Sequence, residues 1–221
     1  MTGWTPLRAC RQIPAFVCIL GLCVLSGRTA RADRAILSPR GFILSPGDVQ
    51  FEYAGRTTDG HSNVQWLQVS MPGSDLGLEL ELERRQASGR SRSSFNLEYT
   101  LTGNALSDIA PVIAVGARDL INSDVEGRSA YLALSKTIGL SLAQSRVVSD
   151  LKVHAGYGSG RMDGLFASGE LRFRLGFTVS AEYFQQRWNM EVAVPASKYL
   201  KLRAYTLNGA VYYGASLRIA R

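Results

Sequence analysis

The chain has 221 residues, with 25 lysines and arginines against 18 aspartates and glutamates, a formal net charge of +7. That basic excess is concentrated at the start. Arg8, Arg11, Arg28 and Arg31 precede the first acid, Asp33. Taking these four from 25 leaves 21 basic residues against 18 acidic ones, a net of +3 beyond residue 32. So small an excess does not support a nucleic-acid partner.

The opening segment reads as an address. The apolar run Ile13–Leu25 (IPAFVCILGLCVL) is too short for a hydrocarbon core of roughly 30 Å, which needs about 20 residues. It has the length of a signal-peptide core, and Ala30-Arg31-Ala32 offers small residues for cleavage. Residues 1–32 are therefore expected to be a signal peptide and 33–221 a single domain. All three cysteines (Cys10, Cys18, Cys23) fall in that segment. The mature chain would then have no disulfide, thiolate nucleophile or cysteine metal site.

Beyond residue 32 the dominant signal has a period of two, the signature of strands. Val49–Ala54 and Val64–Met71 are the first candidates. Leu76–Glu83 comes next, with leucines on one face and Gly77, Glu79, Glu81 and Glu83 on the other. After a small, basic stretch read as a turn (Gln86–Ser94), Phe95–Leu101 alternates again. Val112–Ala117 and Ala130–Lys136 are less regular. Regular strands then run from Asp150 to Tyr157, Glu170 to Phe173, Phe177 to Tyr183, Trp188 to Val194, Leu200 to Ala204 and Val211 to Leu217. Turn signals separate them, among them Gly158-Ser159-Gly160 and Leu207-Asn208-Gly209. Asn-Gly suits a two-residue hairpin whose central positions both need positive φ.

This pattern predicts an all-β chain: an antiparallel up-and-down meander closed into a membrane β-barrel of about 10–12 strands. Alternation alone also fits a soluble periplasmic β-sandwich that binds a ligand. Three features favour the membrane. The second face is rich in Gly, Ser, Thr and charge of both signs. Aromatic residues cluster near strand ends (Tyr157, Tyr183, Phe184, Trp188, Tyr199, Tyr205, Tyr213). The mature chain lacks cysteine. The expected location is the outer membrane of a Gram-negative cell, with outer-membrane lipid as partner; the alternative is the periplasm.

The stretch Ile109–Ile138 (IAPVIAVGARDLINSDVEGRSAYLALSKTI) carries Gly116, Arg118 and Asp119, then Tyr131, Leu132, Ser135 and Lys136. In that order they resemble a motif of YjbH-like proteins, predicted outer-membrane β-barrels linked to exopolysaccharide production. Gly156-Tyr157-Gly158 resembles that family's glycine-aromatic-glycine turn. Asp163–Phe166, Ala181-Glu182-Tyr183 and Arg187-Trp188-Asn189 resemble its later strands. Two departures stand out: familiar members are often much longer, and their loop after Arg-Asp is usually glycine-rich. The resemblance implies a polysaccharide, or polysaccharide-export machinery, as partner.

Chemistry-bearing residues are few. His61 lies in a loop and His154 on the polar face of a strand. A barrel-embedded lipid-modifying enzyme could pair His154 with Ser149 or Ser159, but no spacing defines a triad. Neither catalysis nor a cofactor is expected. Glu79, Glu81, Arg172, Glu182 and Arg203 are candidate lumen charges. The acidic row Glu79, Glu81 and Glu83 is expected to pair with basic residues, Arg84, Arg85, Arg90 and Arg92 among them, because enclosed charges need partners. Arg118 and Asp119 are read as a structural ion pair at a strand end.

Overall fold

The computed structural model describes residues 36–58, 62–71, 77–87, 90–102, 110–123, 127–141, 143–160 and 162–219. The expected signal peptide and His61 lie outside them. Twelve strands run in order: β1 (Val49–Arg56), β2 (Asn63–Ser70), β3 (Leu78–Ala87), β4 (Arg90–Thr100), β5 (Val112–Arg118) and β6 (Ser129–Gly139). The second half comprises β7 (Val148–Gly160), β8 (Gly164–Phe173), β9 (Thr178–Phe184), β10 (Arg187–Pro195), β11 (Leu200–Leu207) and β12 (Ala210–Ile219). Each pairs antiparallel with its chain neighbours, and β1 closes on β12 from Val49↔Ile219 to Arg56↔Tyr212. The result is a closed barrel, at the upper end of the expected strand count and without the free sheet edges of a sandwich.

The faces are inverted relative to a water-soluble fold. In β6, Ser129, Tyr131, Ala133 and Ser135 point inward and are buried, while Ala130, Leu132 and Leu134 are exposed outside. In β3 the leucines face out, and Glu79, Glu81 and Glu83 are buried inside. Glu52, Glu182 and Arg203 are at most 3% exposed, whereas Met190 is 61% and Leu165 75% exposed. In water this would bury charge and wet an apolar belt. In a bilayer each face meets the medium that suits it.

Aromatic residues mark the two borders of the belt. Tyr53, Tyr157, Tyr183, Trp188 and Tyr213 face outward near the end carrying the β9–β10 and β11–β12 hairpins, with Tyr183 and Trp188 rings 5.3 Å apart. Phe173 and Phe177, stacked at 4.1 Å, lie towards the opposite end with Tyr99 and Tyr199. Both groups sit where interfacial girdles belong; Phe184 and Tyr205, expected there too, fall on the inward phase of their strands and are buried in the lumen instead.

The Asn208-Gly209 turn has φ of 53° and 80°, as its sequence leads one to expect. Gln185-Gln186 forms the same kind of turn at 48° and 62°, although glutamine is no turn signal. Three expected turns are corrected. The Gln86–Ser94 stretch is not a broad turn: β3 runs to Ala87, β4 starts at Arg90, and Arg85↔Arg92 and Gln86↔Ser91 are paired. Gly156-Tyr157-Gly158 and Gly158-Ser159-Gly160 are strand, not turn, within β7. Cross-strand pairing overrides the weak local preference of these residues.

Candidate functional site: the barrel lumen

The lumen holds more than strand side chains. Residues 36–44 run inside it, and Ile36, Leu37, Ser38, Arg40, Ile43 and Leu44 are all nearly inaccessible. This segment makes no ladder; its backbone donors go to side chains on the wall. Leu37 N–H donates to both oxygens of Glu182 (3.0 and 2.9 Å) and Ser38 N–H to Glu182 Oε2 (2.8 Å). Gly41 N–H donates to Ser135 Oγ at 2.6 Å, and Leu44 N–H to Glu79 Oε2 at 2.8 Å. Ser38 Oγ meets Ser168 Oγ at 3.2 Å. The Arg40 guanidinium lies 3.5 Å from Glu170, which Lys152 also approaches at 3.4 Å. A Cβ on Gly41 would stand 2.8 Å from the Val112 carbonyl, so glycine permits the close pass of the backbone.

Near the hairpin end the lumen is apolar. Trp66, Tyr131, Phe166, Phe184, Tyr205 and Leu207 form one buried cluster with Ile36 and Leu37. The Tyr131–Phe166 and Phe166–Phe184 ring centroids are 6.5 and 6.4 Å apart.

The centre is charged. Arg203 bridges Glu52 of β1 and Glu191 of β10, with Arg203 Nε donating to Glu191 Oε1 at 3.1 Å and further bonds to both carboxylates. Glu81 accepts from the amides of Gln68 (3.2 Å) and Asn96 (2.9 Å), and Glu79 from Gln68 at 3.3 Å. The acidic row is therefore satisfied partly by neutral amides and the plug backbone, with Glu83 paired to Arg85. Glu182 also takes the Asn189 amide at 2.9 Å. Arg172 is buried and faces inward opposite Asp150. The sequence candidates Glu79, Glu81, Arg172, Glu182 and Arg203 lie among these side chains; Glu52, Glu191 and the segment at residues 36–44 are not among the candidates.

The motif residues do not form one site. Gly116 and Tyr131 are direct partners across β5 and β6, and the tyrosine ring covers the glycine. Tyr131 Oη donates to Glu98 at 2.6 Å. A Cβ on Gly116 would fall 2.2 Å from that ring. Gly116→Val should therefore evict Tyr131 and lower stability by about 1–3 kcal/mol, read as a lower urea midpoint for the folded barrel. Arg118 lies 5.8 Å from the Phe184 ring centroid. The Asp119 carboxylate holds the loop after β5, accepting from Ser123 N–H and Oγ at 2.8 Å each. Ser135 faces the lumen, whereas Lys136 is on the outer face opposite Val153.

The serine beside His154 is Ser135, not Ser149 or Ser159. Its Oγ is 2.6 Å from Nδ1, because the β6–β7 register places the two residues opposite one another. Ser135 Oγ also accepts from Gly41 N–H. Phe42 packs edge-on to the imidazole at 5.5 Å, and among the described residues Nε2 has no hydrogen-bond partner. The pair holds the plug segment. Among the described residues no carboxylate is hydrogen-bonded to the ring.

Two small spaces stand out among the described residues. One of about 40 Å³ lies between Arg40, Glu79, Glu81, Glu98, Arg118 and Tyr131. It has room for about three waters at ~10–15 Å³ each. The other, about 10 Å³, lies between Ile36, His154, Glu170 and Glu182.

No family model matches the chain, and no curated protein matches it; the YjbH-like resemblance thus remains an expectation of the sequence. Solved structures do match. A KdgM porin aligns with TM-score 0.51 and 12% identity, covering 79% of this chain and 99% of its own. A KdgM porin in complex with disordered oligogalacturonate aligns with TM-score 0.52 and 11% identity, with the same coverage. At such identities the likeness is one of fold, that of a β-barrel.

Proposed function

We propose that this chain is a non-enzymatic channel of the bacterial outer membrane that passes polar solutes of the saccharide class and serves cell-envelope or exopolysaccharide biology. The inversion of faces carries the reading: an apolar belt with aromatic borders outside, and charge and amides inside. The fold it shares with a porin whose structure contains oligogalacturonate supports the saccharide class, as does the YjbH-like sequence resemblance. With cleavage after Ala32, residues 36–44 become the amino-terminal tail of the mature protein, folded back into its own barrel. The test is planar-bilayer recording of the purified protein alongside a variant lacking residues 36–44. Discrete conductance steps, larger in the shortened form, are expected. Silence in both would refute a channel.

A further inference from the structure

The tail is not merely packed in the lumen; it is bound there as a ligand would be. Apart from the Arg40–Glu170 ion pair, the contacts described above are those of a donor chain on acceptors. Backbone N–H groups reach Glu182, Ser135 and Glu79, and one hydroxyl reaches Ser168. These acceptors belong to four different strands and line a path that spans at most about 25 Å from Leu37 to Leu44. Withdrawing the tail would take Arg40 from Glu170 and remove the backbone donors from Glu182 and Glu79. The vacated path would have fewer donors, though Asn189 stays on Glu182 and Gln68 on Glu79, and one positive charge less. A buried carboxylate that loses donors is costly, so what enters in place of the tail, water or ligand, must restore them.

Resting on the channel reading, we propose that the seat of residues 36–44 is a binding site for an uncharged oligosaccharide, and that the tail is its built-in competitor. Sugar hydroxyls supply the donors that Glu182 and Glu79 require. An acidic oligosaccharide would bring its own carboxylates to these positions. The preference therefore runs opposite to the oligogalacturonate of the matching porin structure.

Ser38 and Ser168 provide the assay. Their hydroxyls are 3.2 Å apart, and the sequence has no cysteine after Cys23. In the exported full chain, the double variant Ser38→Cys/Ser168→Cys should form a disulfide under mild oxidation. Maltohexaose at about ten times its dissociation constant should slow that reaction about tenfold by displacing the tail. Hexagalacturonate at the same concentration should leave the rate unchanged. The oxidised form should conduct less than the reduced form. Absence of the disulfide would overturn the seating of the tail. Failure of maltohexaose to slow it, or better protection by hexagalacturonate, would overturn the assigned ligand class. If maltohexaose protects but neither redox form conducts, the seat stands and the channel reading fails.

Discussion

Replacing Arg203 with alanine is expected to destabilise the barrel by about 3–5 kcal/mol, the usual cost of leaving buried charge without its partner. Arg203 is 3% exposed, and the carboxylates it joins, Glu52 and Glu191, are 2% and 3% exposed. Glu52 comes from β1 and Glu191 from β10, so the guanidinium ties strands on either side of the β12–β1 closure. Removing it leaves two buried carboxylates without that bridge. Arg203→Lys keeps the charge but not the planar fork that serves two acceptors, and should recover only part of the loss. Replacing all three residues with apolar ones of similar volume should be far milder than Arg203→Ala alone. Urea titration of the folded barrel, tracked by the unheated band in gel electrophoresis, measures each difference. Equal midpoints for wild type and Arg203→Ala would contradict this account of the lumen.

The second large effect is expected on the opposite face. Leu134 is 43% exposed and lies mid-strand in β6, with Leu132 and Ile138 on the same outer face. Arginine there should cost about 2–4 kcal/mol if the position faces the bilayer midplane. In a water-soluble protein an exposed leucine replaced by arginine changes stability little. Urea titration in lipid vesicles distinguishes the two: a lower midpoint is expected, and an unchanged one would place Leu134 in water.

Much of the wall was legible from period-two patterns. The run from Leu78 to Glu83 alternates so cleanly that the strand and its division into two faces can be read from it, and Asn208-Gly209 announces its turn. What alternation does not encode is which face is inside, since a sandwich and a barrel share the same period. The Gln185-Gln186 turn was hidden because its positive φ values are imposed by the paired strands rather than by residue preference. The plug was invisible for another reason. Residues 36–44 keep no period, and their partners lie far along the chain: Glu182 is 145 residues from Leu37, and Ser135 is 94 from Gly41. The same distance hid the Glu52–Arg203 bridge, 151 residues apart in sequence. The His154 partner was missed because it is fixed by β6–β7 register rather than by proximity in the chain. Lys136 stands within the family-like motif, yet period two places it outside, beside the inward Ser135.

The central claim is that the leucine-bearing face of these strands meets lipid and the charged face does not. Single spin labels placed in turn from residue 130 to 138 along β6, in the protein reconstituted into vesicles, test it most directly. Collision with dissolved oxygen should alternate with period two, high at 130, 132, 134, 136 and 138 and low between them. At Leu134 a water-soluble nickel chelate should have little access. A scan without alternation, or a label at Leu134 freely reached by the chelate, would contradict the membrane barrel.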